Sequence, residues 1–253
     1  MMRDLQHDSR FLAINTATVK AWDLRQAIEG IARAGIPALA VWRDRLAELG
    51  ITEATRLLRT HGLAVTGLCR GGMFTGFGRA DRALALEDNR RAVDEAAAIG
   101  AACLVLVAGG LAPGSRDIAE ARRIVRDGIA ELLPYARAAG VPLAIEPLHP
   151  MYAADRACIN TIGQANALCE ALGEGIGIAV DVYHLWWDPE LAAGIARAGR
   201  HGRILAFHIC DWLVPTSDLL LDRGMMGDGV IDIRYIRGLV EAAGYDGFCE
   251  VEI

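Results

Sequence analysis

ARAAGVPLAIEPL, residues 136–148, passes from a segment with helical spacing through Gly140 into a short apolar run, and the return of this phrase along the chain decides the fold. Glycine suits the end of a helix because it reaches the left-handed conformation without a Cβ penalty. The run that follows is continuously apolar rather than alternating, as a parallel strand covered on both faces requires. The phrase recurs as IARAGIPALAVW (31–42), LLRTHGLAVTGLC (57–69), AAAIGAACLVLVAG (96–109), ALGEGIGIAVDVYH (171–184), RAGRHGRILAFHICD (197–211) and EAAGYDGFCEVEI (241–253). Between the runs lie amphipathic segments such as LRQAIEGIARA (24–34) and RALALEDNRRAVDEAAAIG (82–100), with apolar residues at helical spacing. With FLAINTAT (11–18) at the start, the chain reads as eight strands, each of the first seven followed by a helix.

Eight such units in 253 residues predict a single α/β domain over 1–253, a (β/α)8 TIM barrel. The rival, a doubly wound open sheet, usually carries G-x-G-x-x-G after its first strand, and AINTATVKAWD lacks it. The chain stops at Ile253, inside or just after the eighth strand, so the closing helix is expected to be short or absent.

The composition, 53% hydrophobic and 23% charged, is that of a soluble globular protein, and no apolar run approaches a membrane span. The N-terminus MMRDLQHDSRF is too polar for a signal peptide. The six cysteines (Cys69, Cys103, Cys158, Cys169, Cys210, Cys249) are scattered, mostly in apolar segments and without a CxxC pair. They read as reduced core thiols, so a cytoplasmic location is expected. A net charge of −6 argues against a nucleic-acid groove.

In a barrel of this kind the active site lies at the C-terminal ends of the strands. The polar residues that end the apolar runs are therefore the candidates. Strand five ends with Glu146 in LAIEPLHP, strand six with Asp181 in IAVDVYH, strand seven with His208 in ILAFHICD and strand eight with Glu252 in FCEVEI. Three carboxylates on one rim push protons back onto one another unless a cation sits among them. Oxygen donors with one imidazole suit Mn²⁺, with Mg²⁺ or Co²⁺ as alternatives, and lack the thiolates of structural zinc. Glu250 shares the strand face of Glu252, so periodicity alone does not choose between them. His184 follows Asp181 by three residues; the strand is expected to end near Tyr183, turning His184 over the rim as a substrate contact, with helix capping or packing as its other reading.

These pieces, IEPL, VDVYH, FHICD, RGMMGDGVID and GYDGFCEVEI, resemble the xylose isomerase-like TIM barrels, most nearly the ketose 3-epimerases, hydroxypyruvate isomerases and inosose dehydratases. The resemblance spans nearly the whole chain and is strongest from Leu143 onward. It implies Glu146, Asp181, His208 and Glu252 as metal ligands, with Glu146 and Glu252 also moving the proton. It places His184 and Arg223 on substrate oxygens, and puts Glu250 one layer deeper, paired with a cation or hydroxyl. It also implies a dimer or tetramer acting on a small sugar or keto sugar.

The implied reaction is proton transfer next to a carbonyl through an enediolate, giving epimerisation or aldose–ketose isomerisation. A lyase or dehydratase acting on a 3-keto glycoside or inosose follows from the same enediolate. The epimerases carry a further glutamate six residues after the strand-five ligand, where this chain has Tyr152 and offers His149 instead. His149 reads as a third acid/base, a contact to another part of the substrate, or a structural loop histidine. Asp211 is either a partner of His208 or of the substrate, or a cap for the excursion DWLVPTSDLLLDRG (211–224). Trp186, Trp187 and Trp212 either wall the sugar site or pack. Cys69, Arg70 and Phe74 lie in CRGGMFTGFG, a lid or an ordinary loop. Endonuclease IV-type relatives need histidines on strands two and three and a D-x-H motif after strand seven. Here those strands end in VWRD and GLCR, and 211–230 contains no D-x-H.

Overall fold

A computed structural model describes residues 3–5, 8–76, 79–112 and 114–253. Met1, Met2, Gln6 and His7 of the polar N-terminus, and Phe77 and Gly78 of the loop after the third strand, lie outside the described residues. Eight parallel strands close into a ring: β1 (Leu12–Asn15), β2 (Ala38–Trp42), β3 (Ala64–Gly72), β4 (Leu104–Val107), β5 (Leu143–Ile145), β6 (Ile176–Asp181), β7 (Ile204–Ile209) and β10 (Cys249–Val251). Around them run α1 (Leu24–Arg33), α2 (Arg43–Leu49), α3 (Ile51–His61), α4 (Arg79–Ile99), α5 (Ile118–Ala138), α6 (Ile162–Leu172), α7 (Val182–Leu185), α8 (Leu191–Gly199) and α9 (Ile233–Ala242). The ring is the expected (β/α)8 barrel. After β10 come Glu252 and Ile253.

Two sets of apolar side chains explain why the strands read as continuous runs. Leu104, Leu106, Leu143, Ile145, Ile178 and Val180 face the helices in one large core. Cys69, Cys103, Val105, Ala144, Ala179 and Ala206 form a separate, smaller-residue cluster on the other face, inside the ring. Ala144, Ala179 and Ala206 each lie two positions before Glu146, Asp181 and His208, so the pleat turns those polar side chains inward above a floor of small residues. All six cysteines are free and buried.

Local departures from the regular ring shape its mouth. The pairing of β3 with β4 shifts register between Cys69 and Gly71, which leaves Arg70 as the extra residue of a bulge. Gly72 closes it at φ +110°, where a Cβ would stand 1.9 Å from the Val107 carbonyl oxygen. Buried Asn89 of α4 pins the bulge, accepting from the Gly72 N–H at 2.6 Å and donating to its carbonyl at 2.7 Å. β6 ends at Asp181, two residues earlier than the sequence suggests. The Asp181 carboxylate accepts from the Tyr183 N–H at 2.7 Å and starts the short helix α7. Between β7 and α9 the chain makes a two-rung antiparallel ribbon, β8 (Asp211–Trp212) with β9 (Arg223–Gly224).

Candidate active site

Glu146 follows β5, Asp181 ends β6, His208 lies in β7 and Glu252 follows β10. All four are buried, and one ligand atom from each falls within 4.8 Å of every other. His208 Nδ1 is 3.0 Å from Glu146 Oε1 and 3.5 Å from Glu252 Oε2. Burial opposes a charge on His208, but Glu250, Glu146 and Glu252 outweigh it and hold its pKa well above the ordinary value. Burial pushes the Asp181 carboxyl up to about 7, against the pull of Arg223. Glu252 is also buried, yet the hydrogen bond and charge of His208, together with Arg223, bring it down to about 2.

The donor set fits a hard divalent cation: three carboxylates and one imidazole, all buried, with no thiolate among them. The two ring nitrogens of His208 are divided accordingly. Nδ1 faces the carboxylates, while buried Nε2 has no hydrogen bond among the described residues and points to Glu250 Oε1 at 3.5 Å. Glu250 accepts from Thr66 Oγ1 at 2.6 Å and from Asn15 Nδ2 at 2.8 Å, and Asn15 Nδ2 also reaches Glu252 Oε1 at 3.0 Å. Glu250 is thus the deeper carboxylate, behind the imidazole, and burial raises its pKa.

Because the chain enters α7 directly after Asp181, His184 lands on the same side as Asp181 by helical spacing. Its Nε2 lies 3.7 Å from Asp181 Oδ2 and 3.2 Å from Arg223 Nη2, and its Nδ1 accepts from the His149 N–H at 3.2 Å. Burial and then the Arg223 charge hold its pKa well below the ordinary value. Arg223 of β9 places Nη1 3.2 Å from Asp181 Oδ2 and 3.3 Å from Glu252 Oε2, with its guanidinium 4.5 Å from the centre of the Tyr183 ring.

Two candidates sit elsewhere. The His149 ring packs 5.1 Å from Trp212 and 5.7 Å from Trp187, and its Nδ1 accepts from the Met151 N–H. It caps a loop turn, and only its backbone touches His184. Asp211 spends its carboxylate on the N–H groups of Trp212, Gly227 and Ile231, at 2.9, 2.9 and 3.0 Å. These bonds are those of the loop cap and leave His208 to Glu250. Trp212 stacks on Tyr183 at 4.7 Å and Trp186 lies 5.7 Å from Trp212, a packing cluster. Phe74 is buried against Gly128 of α5, whereas Cys69 and Arg70 line a cavity of about 330 Å³. That cavity is also lined by Glu146, His184, Arg223 and Glu252. Tyr152 lines it too, its hydroxyl donating to the Leu219 carbonyl at 2.7 Å beside that of Tyr183 at 2.9 Å.

The profile of the xylose isomerase-like TIM barrel matches residues 28–253. The chain belongs to this family. A crystal structure of a protein from Sinorhizobium meliloti 1021 is 61% identical over 97% of this chain and 90% of its own, with a TM-score of 0.96. The IolI protein with a bound zinc atom shares 19% identity over 96% of this chain and 88% of its own, with a TM-score of 0.81. The 3-keto-D-glucoside 4-epimerase of E. coli shares 20% over 96% and 91%, with a TM-score of 0.77. At these lower identities the likeness is one of fold. No curated protein matches the chain.

Proposed function

We propose that the protein is a divalent-metal-dependent sugar isomerase or epimerase that moves a proton next to a carbonyl. The observation that carries this reading is the buried cluster of Glu146, Asp181, His208 and Glu252 opening into a cavity large enough for a monosaccharide. A divalent cation held by these four side chains, Mn²⁺ in our reading, supplies Lewis acidity toward the substrate carbonyl. Glu146 and Glu252, from separate strands, are the two carboxylates that take and return the proton. Arg223 and the neutral His184 hold substrate oxygens, both as donors, His184 through Nε2 because its Nδ1 accepts from the His149 N–H. The hydroxyls of Tyr152 and Tyr183 fasten the Leu219 carbonyl, next to Leu220 of the cavity wall. The sugar-epimerase fold relative supports the substrate class. The position of His149 favours proton return over elimination, because its imidazole lies in the Trp187–Trp212 stack.

The test is solvent deuterium exchange with Mn²⁺-loaded protein and a panel of keto sugars, read by NMR. Deuterium is expected beside the carbonyl in a metal-dependent manner and lost in Glu146→Gln. Tight metal binding without exchange anywhere in the panel would refute enolisation.

A further inference from the structure

The cavity holds more positive charge than the metal cluster uses. Besides Arg223, it is lined by Arg70 and Arg156, both half-buried. Among the described residues neither guanidinium makes an ion pair or hydrogen bond; Arg156 lies over the Tyr152 ring at 5.4 Å. Arg43, the first residue of α2, is by contrast paired with Asp88 at 2.8 Å and Glu95 at 2.6 Å. Asp155 lines the same cavity yet pairs with neither arginine among the described residues. Glu146 is near enough to Arg70 to act on its charge but forms no ion pair with it. Burial and then the neighbouring Arg156 charge lower the Arg70 pKa, so the two cations stand close enough to repel.

Such a pair is costly, and the backbone is built to keep it. Arg70 is the extra residue of the β3 bulge, a device that re-aims a side chain, and buried Asn89 pins that bulge. Two guanidinium forks facing one cavity, neither paired to a carboxylate among the described residues, match an oxygen-rich anion, which each can hold through charge-assisted hydrogen bonds. The chain shows no glycine-rich cradle in its late strands, so side chains would do the recognition.

We infer that the substrate is an acidic sugar whose carboxylate or phosphate group is held by Arg70 and Arg156 while its carbonyl end faces Glu146 and Glu252. The inference rests on the enolising site proposed above for the orientation, but not for the anion site itself.

The experiment titrates Mn²⁺-loaded protein calorimetrically with D-fructose, D-fructose 6-phosphate and 5-keto-D-gluconate, with deuterium exchange recorded in parallel. At least one anion is expected to bind about a hundredfold tighter than fructose, about tenfold from each arginine. Arg70→Gln and Arg156→Gln should each remove about tenfold, while Arg70→Lys retains part of the preference and controls for folding. The tighter anion identifies the group as phosphate or carboxylate. No preference for either anion, including no binding, overturns the inference, as does a preference that survives the double glutamine variant. Arginine-dependent anion binding without deuterium exchange would sink enolisation and keep the anion site. Exchange with all three probes at equal affinity would do the reverse.

Discussion

Glu250 and Glu252 lie two positions apart on one strand face, and depth alone divides their work. Glu252 meets Arg223 and the Nδ1 side of His208, whereas Glu250 lies behind the ring, fastened by Asn15 and Thr66. A carboxylate behind a ligating imidazole orients the ring and raises its basicity. Glu250→Gln should therefore weaken Mn²⁺ binding about tenfold, measured by competition with a chromophoric chelator. Loss of a proposed ligand in Glu252→Gln should cost clearly more, and equal losses would show that the two residues are not so divided. Much at this scale was legible: Glu146, Asp181 and His208 each interrupt an apolar run. Thr66 and Arg156 were not. Threonine is ordinary in a strand, and Arg156 reaches the cavity from a loop whose path no periodicity encodes.

The excursion between β7 and α9 delivers Arg223 to the cluster, and Asp211 organises it. The backbone bonds of Asp211 hold its carboxyl below the usual range despite its burial. Asp211→Ala would leave the Trp212, Gly227 and Ile231 amides without that acceptor. We expect a loss of about 1–3 kcal/mol in urea unfolding, with faster tryptic cleavage after Arg223. Unchanged cleavage would mean the ribbon holds itself. The loop itself was visible in DWLVPTSDLLLDRG, but a ladder of two rungs, Asp211 with Gly224 and Trp212 with Arg223, is too short to leave a pattern. Helix α7 escaped reading for a similar reason. Asp181 ends a strand and starts a helix at once, and only the hydrogen bond to the Tyr183 N–H reveals the change.

The barrel gathers three carboxylates that repel one another, so a bound cation should stabilise the whole ring. Mn²⁺ at about a hundred times its Kd should add about 2.7 kcal/mol. A raised melting temperature, reversed by a chelator and absent in the double variant Glu146→Gln, Glu252→Gln, would show it; no shift in the wild type would refute it. The repeated glycine-to-apolar phrase made this architecture readable because each unit obeys the same packing rule.

Closure of the ring also sets an order of events. β1 pairs with β10, and Asn15 meets Glu250 across 235 positions of sequence. Synthesis runs from one partner to the other, so the first strand made has an unpaired side until the last is out. Glu252 arrives with that last strand. A growing chain therefore carries Glu146, Asp181 and His208 with Glu252 still to come, and the act that seals the barrel is the one that completes the cluster proposed to hold a metal.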